Sequence, residues 1–242
     1  MINSVRNTVL SIINKNNYGY ISPSDFNLFA KQAQLDIFDE YYVNYNQQVN
    51  EENARLSGTG YADIKLGYEE VIDMFSVTSS LTQNNLNTYY LPSTTTTGDD
   101  YYLINSVYCY AGGVYQGEAE KVSNTKIKLL TASLLTAPST EYPAYTQQSD
   151  SITIYPTTFS GANDVQATYN RYPKDPKWTY VTLYDGEPMF DQTQSDYQDF
   201  ELPIDDVSSL VAKILQYAGV SIREQDVFTF GQLEEQMQNQ KE

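Results

Sequence analysis

The stretch SPSDFNLFAKQAQLDIFDEYYVNY (residues 22–45) decides how this chain is read. Ser22 is a helix N-cap residue, Pro23 falls at the first helical position, and Asp25 puts negative charge beside the positive end of the helix dipole. Phe26, Phe29, Ala30, Ala33, Ile37, Tyr41 and Tyr45 then recur at steps of three and four, which is one face of a helix. Continued to Arg55, it would run for about 33 residues and roughly 50 Å. Gly58 and Gly60 end it. Tyr41, Tyr42 and Tyr45 cover more than one face, so a neighbour is predicted on a second side of this helix.

Working outward, Ile2, Val5, Val9, Ile12 and Ile13 give residues 2–13 helical spacing, and a polar turn around Gly19 follows. Residues 61–75 predict a third helix, with Ile64, Tyr68, Val71, Ile72 and Phe75 on one side. Residues 80–202 change character, with Thr, Ser, Tyr, Pro and Gly dominant. β-prone runs at 101–110, 151–155, 165–172 and 178–183 are separated by Pro, Gly and Asp clusters. Residues 93–98 read as a loop or hairpin tip, and 126–135 as a short helix. At the other end, Val207, Leu210, Val211, Ile214 and Leu215 form a full apolar stripe. Gly219 is placed to end that helix in a left-handed turn. A last helix from Arg223 would carry Val227, Phe230, Leu233 and Met237.

Neither helical end buries its stripe alone. The economical solution is an α+β fold. A helical bundle forms from residues 1–80 and 203–242, with a mainly antiparallel β region of long loops, residues 81–202, inserted between them.

Composition narrows the function. The 242 residues carry 31 acidic and 14 basic side chains, a formal charge of −17, with no histidine and a single cysteine, Cys109. Ser-His-Asp and Cys-His machinery, HExxH zinc sites, histidine pH switches, intrachain disulfides and CxxC knuckles are all excluded. So few cations make a poor nucleic-acid binder. The aromatic content, with 23 Tyr, argues against disorder. No apolar run reaches the ~20 residues of a membrane helix. The opening residues lack a signal-peptide layout, so a soluble protein made in a cytoplasm is expected.

Several motifs carry a sharper and a plainer reading. Residues 14–25 match a calcium-loop register, with Asn14, Asn16 and Tyr18 at alternate positions, Gly19 at the turn and Asp25 last. A hard cation wants several carboxylates and this loop offers one, so a helix–turn–helix connection is favoured. The doublets Asp39/Glu40, Glu51/Glu52, Asp99/Asp100 and Asp205/Asp206 suggest a two-carboxylate hydrolase. Catalytic acids must face each other across a cleft, whereas adjacent residues point apart. Tyrosine richness suits subunit contact or stacking on sugars. The cluster Arg171, Lys174, Lys177, Trp178 offers charge to DNA or an acidic partner, against a proline-stiffened hairpin with locally paired charges, which is favoured. Cys109 reads as a buried inert thiol.

Three segments share a style and an order: GYISPSDFNLFAKQAQLDIFDE (19–40), RYPKDPKW (171–178) and LPIDDVSSLVAKILQYAGVSIREQDV (202–227). Together they resemble head–tail connector (adaptor) proteins of short-tailed bacteriophages, especially the ring proteins of crAss-like phages. These are related in role to the tail-tubular A adaptors of other podoviruses. The resemblance implies a virion structural protein, not an enzyme, forming a ring of commonly twelve copies between portal and tail. It brings no catalytic, metal or cofactor residues.

An acidic lumen would repel phosphate and let DNA slide without being held. Expected partners are further copies of the chain, the portal protein and neighbouring tail or ring proteins, with no membrane anchor. The expected location is the virion's head–tail junction, after assembly in the host cytoplasm. Ring closure needs two different contact sides per subunit. Residues expected at partner interfaces are Tyr41, Tyr42, Tyr45, Arg171, Lys174, Lys177, Trp178, Leu233 and Met237. The polar end, residues 236–242, is expected to order on a neighbour. The alternative is a tail-associated receptor- or carbohydrate-binding module.

Overall fold

A computed structural model describes residues 1–14, 20–53, 64–222 and 232–233. The fold is α+β with mostly antiparallel strands. In chain order, three helices come first: α1 (Ile2–Asn14), α2 (Pro23–Asn53) and α3 (Ile64–Asp73). Strands β1 (Ser76–Ser80), β2 (Gln83–Asn85), β3 (Thr88–Tyr90), β4 (Tyr101–Ala111), β5 (Val114–Glu118) and β6 (Glu120–Lys121) follow. After helix α4 (Asn124–Thr131) come β7 (Ala144–Gln148), β8 (Ser151–Tyr155), β9 (Val165–Arg171), β10 (Tyr180–Thr182) and β11 (Pro188–Phe190). A 3₁₀ turn (Ile204–Asp206) then leads into α5 (Val207–Ile222).

The chain divides into two compact units. One is helical and joins Met1–Val71 to Pro173–Glu242; the other is Ile72–Tyr172. Both helical ends therefore build one unit, and the β region is inserted in it.

In the helical unit, α5 packs on both α1 and α2. The core takes Ile2, Val5, Val9 and Ile13 from α1, Phe26, Ala30, Ala33, Ile37 and Phe38 from α2, and Leu210, Ala212, Ile214, Leu215 and Ala218 from α5. The α2 cap is as the sequence predicts: the Asp25 amide donates to Ser22 Oγ (3.2 Å), and the Ser22 hydroxyl donates to the Asp25 carboxylate (2.6 Å). A polar seam joins α2 to the C-terminal helix. Tyr217 donates to Asp36, Lys213 to Glu40 (2.7 Å) and Tyr41 to Asp206. Rising numbers on one side meet falling numbers on the other, so the two helices run antiparallel.

The inserted unit encloses one core between two sheets, of strand order β1-β9-β4-β5 and β2-β3-β8-β7-β6. Inward residues alternate along each strand: Val107 and Cys109 on β4, Ile152 and Ile154 on β8, Val165, Ala167 and Tyr169 on β9. All pairings in these sheets are antiparallel except β6 with β7, whose crossover carries α4. The β4–β5 hairpin closes on Gly112 (φ 59°) and Gly113 (φ 81°), two consecutive left-handed positions that form a two-residue turn.

Two expectations need correction. The inserted unit begins near residue 72 and ends at 172, not at 81 and 202. Residues 173–202 belong with the helices because their backbone is tied to α2. The Asn27 side chain holds both the N–H (2.8 Å) and the C=O (3.2 Å) of Trp178. Gln34 spans the Lys174 carbonyl (2.8 Å) and the Glu201 amide (3.0 Å). Second, α5 runs through Gly219 to Ile222. Gly219 is a buried position within the helix, not a left-handed turn at its end. Residues 93–98 form a loop, as expected, tightened into a turn. The Ser93 carbonyl accepts from the N–H groups of Thr96, Thr97 and Gly98 in a tight turn. The breaks at Gly58 and Gly60 and the helix from Arg223 lie outside the described residues.

Asp199, on the returning segment, caps α1. Its carboxylate accepts from the Met1 ammonium (2.7 Å) and the Ile2 amide (2.7 Å), while its own neighbour Phe200 donates a third bond (2.9 Å). Burial alone would push this carboxyl up; the ammonium and the two amides outweigh it and hold it below the usual aspartate range. A depressed folded-state value contributes stability that is present above the unfolded value and lost as pH falls through the folded one. Asp199→Ala is expected to lower stability by about 1–2 kcal/mol at pH 7. In urea titrations the gap to the parent protein should close as pH drops below roughly 4. An equal gap at pH 3 and pH 7 would contradict this role.

Candidate partner interface

The residues expected at an interface separate into three groups. Trp178 and Tyr41 are interior. The Trp178 ring lies under the Arg6 guanidinium (3.8 Å to the ring centroid) and stacks with Tyr180 (5.5 Å) and Phe190 (5.9 Å). Its indole N–H donates to Asn3 Oδ1 (3.1 Å). A side chain so enclosed is a keystone of its own unit, and its assignment to a partner surface is corrected on that ground. Tyr41 is 6% exposed, and its hydroxyl is committed to Asp206. Burial first, and the Asp206 hydrogen bond second, push its phenol well above the usual tyrosine range. Burial likewise raises the Asp206 carboxyl, which the Tyr41 hydrogen bond partly offsets.

Tyr42 and Tyr45 are half-buried on the next faces of α2, Tyr42 edge-on to Phe38 at 5.1 Å. Lys174 and Lys177 are exposed, and Lys177 pairs with Asp196 (2.5 Å). Asp175 of the same stretch pairs with Lys31 (2.6 Å). The lysine-proline segment thus behaves as a stiffened strap with locally paired charges. Arg171, half-buried at the end of β9, donates to the Tyr172 carbonyl (3.1 Å). Leu233 is half-exposed, and Met237 lies outside the described residues.

The acidic doublets are spent on structure where their partners are described. Glu40 holds Lys213, Asp206 accepts from Tyr41, and Asp100 accepts from both the amide (2.7 Å) and the hydroxyl (2.9 Å) of Thr94. Lys15 to Gly19, the middle of the calcium-like register, lie outside the described residues, and Asp25 is engaged by Ser22. Among the described residues no group of three acidic or sulfur ligands is placed to hold a metal ion. No described helix is long and apolar enough to cross a membrane.

Cys109 is fully buried, and its thiol is pushed up to about 12 by burial and secondarily by Asp164. A thiol-specific reagent at pH 7 should leave the native protein unlabelled while labelling it fully in denaturant. Equal rates in both would place the thiol at the surface.

Surfaces not expected at an interface are more open. In the helical unit, Ile12, Val207, Val211 and Leu215 line a groove of about 390 Å³ whose rim holds Thr8, Ile204, Asp205 and Ser208. The apolar stripes of α1 and α5 are wider than the core they meet, and this groove is the surplus. In the inserted unit, α4 and the turn after it expose Leu129, Leu134, Leu135 and Tyr142. The β10–β11 hairpin exposes Val181, Leu183, Tyr184 and Met189. Exposed apolar patches of this kind are the sort that other molecules cover.

No protein-family model matches this chain, and no curated protein matches it either.

Proposed function

We propose that this chain is a virion structural protein, the head–tail adaptor that closes into a ring, joins the portal to the tail and lines the DNA exit channel of a short-tailed phage. The observation that carries the reading is the presence of two unlike apolar surfaces, a recessed groove on one unit and a projecting leucine cluster on the other. A ring of identical subunits needs such a pair, because each copy meets its neighbours through different sides. Most of the 31 acidic residues lie in the helical unit, which suits a wall past which DNA slides. On this reading the chain performs no catalysis; its partners are its own copies, the portal and the adjoining tail proteins. Native mass measurement of the purified chain, alone and with the portal of the same particle, tests it. A closed assembly of fixed copy number is expected. A chain that stays monomeric with portal and with assembled particles contradicts the reading.

A second reading, a carbohydrate-binding module of the tail, is favoured by one feature. A cleft of about 360 Å³ in the inserted unit is lined by Tyr90, Leu91, Pro92, Ser93, Thr95, Thr96, Tyr101, Ser149 and Asp150. Aromatic rings and hydroxyls suit a sugar face. Glycan binding lost on Tyr90→Ala or Tyr101→Ala would favour it over the ring.

A further inference from the structure

We infer that neighbouring copies join head to tail through a knob and a socket. The leucine cluster after α4 of one copy seats in the α1–α5 groove of the next, with Lys126 and Lys128 set against Asp205 on the groove's rim. This rests on the ring reading above and names its contacts.

The knob is built by α4. Ile127 turns inward and is buried with Val122 and Ala144. At 3.6 residues per turn, Leu129 then falls on the opposite, solvent side, with Lys126 and Lys128 flanking it. The chain leaves α4 in a tight turn rather than a loose one. The Ser133 amide donates to the Leu130 carbonyl (3.3 Å), the Ala137 amide to the Ser133 carbonyl (2.9 Å) and the Thr136 hydroxyl to the Leu130 carbonyl (3.2 Å). That turn holds Leu134 and Leu135 entirely in solvent, at 102% and 97% exposure. Two adjacent leucines fixed outward on a hydrogen-bonded turn bury nothing in their own unit. Their apolar surface is idle unless another molecule covers it.

The occupant is argued from charge. With Arg171, Lys121, Lys126 and Lys128 are all the basic residues of the inserted unit, and Lys126 and Lys128 form no ion pair with a described residue. The chain as a whole is strongly acidic, so the counter-charge for a lysine-edged knob is abundant on a second copy. The groove supplies both halves of the match. Its floor is aliphatic, and its rim carries exposed Asp205 beside Ile204, which is itself 81% exposed. The volume admits two leucine side chains. Opposite charges at the edge set register and speed encounter, while the apolar centre supplies the affinity.

The test uses the full chain and three variants: Leu134→Asp/Leu135→Asp in the knob, Ile204→Lys/Asp205→Lys at the socket, and Lys126→Glu/Lys128→Glu at the charged edge. All six positions are exposed, and thermal unfolding of each variant checks that the fold is kept. By analytical ultracentrifugation the parent chain should assemble, and the knob and socket variants should associate at least ~100-fold more weakly. The lysine variant should weaken association less, with its deficit shrinking at high salt. The decisive arm mixes the knob variant with the socket variant. Each retains one good side, so the mixture should form a dimer and nothing larger. If the parent forms rings and the knob or socket variant does too, this inference is wrong and the ring reading stands. If both variants fail alone and their mixture gives no dimer, knob and socket do not meet, and the inference is again wrong. If the parent never assembles, with or without portal, the ring reading fails and this contact fails with it.

Discussion

Trp178→Ala is expected to destabilise the helical unit by about 3–5 kcal/mol, a loss that a domain of ordinary stability barely survives. The indole fills the space between α1 and the returning strap. Arg6 covers it 3.8 Å from the ring centroid, Tyr180 and Phe190 stack with it, and Asn3 accepts its N–H. Arg6 is itself buried; desolvation lowers its pKa, and its Nε has no partner. The aromatic face therefore stabilises a cation that would otherwise sit in an apolar space. Removing the ring both opens a cavity and strands that charge. Trp178→Phe keeps most of the packing and loses the bond to Asn3, so about 1–2 kcal/mol is expected. Because this is the single tryptophan, unfolding should be followed by far-ultraviolet circular dichroism rather than fluorescence. A shift under about 1 kcal/mol for the alanine variant would show that the strap does not depend on this residue.

Tyr89→Ala is expected to have a comparable effect in the inserted unit, about 3–5 kcal/mol. Tyr89 is fully buried between the two sheets, and its hydroxyl reaches the carbonyls of Gly161 (2.9 Å) and Phe159 (3.3 Å). Tyr89→Phe separates the two contributions. It leaves the ring and removes the donor, at a cost of about 1 kcal/mol. Burial, with lesser help from Asp164 and Cys109, pushes the phenol up to about 12. The folded state thus prefers the neutral form. Its contribution is complete below the unfolded value near ~10 and is lost as pH rises from there towards about 12. The parent protein should lose more stability over that interval than Tyr89→Phe does. Parallel alkaline profiles would contradict the buried-donor role.

The helical part of this fold was legible because its signals are local. Ser22, Pro23 and Asp25 mark where α2 begins, and steps of three and four mark the faces that α1, α2 and α5 bury. That the two ends must share a core follows from neither being able to cover its stripe alone. Strands β4, β8 and β9 were visible as β-branched and aromatic runs. The short strands β2, β3 and β6 were not, because two or three residues carry no period of their own and depend on a partner strand for their conformation. Residues 173–202 misled for a related reason. The run at 178–183 looks β-prone and does form β10, yet its placement is decided by Asn27, Gln34 and the α1 cap through contacts more than a hundred residues apart in sequence.

The interface residues were less legible, and the errors have a common cause. Aromatic and basic residues were assigned outward because such side chains favour binding surfaces. Trp178 and Tyr41 instead satisfy their polar atoms inside the chain. The exposed leucines were hidden in a segment that reads as an ordinary short helix. An amphipathic pattern shows which residues share a face, not whether that face is covered. A signal was nevertheless present. Leu129, Leu134 and Leu135 share a segment with Lys126 and Lys128, two of the inserted unit's few lysines.

Electron cryomicroscopy of intact particles, with this chain fitted into the density below the portal, tests the central claim most directly. The account predicts a closed ring of identical copies encircling the DNA path, acidic helical units facing the passage, and the leucine knob of each copy buried against its neighbour. Finding the chain as isolated copies on the outside of the particle, with its leucines in solvent and its acids turned away from the genome's route, would contradict it.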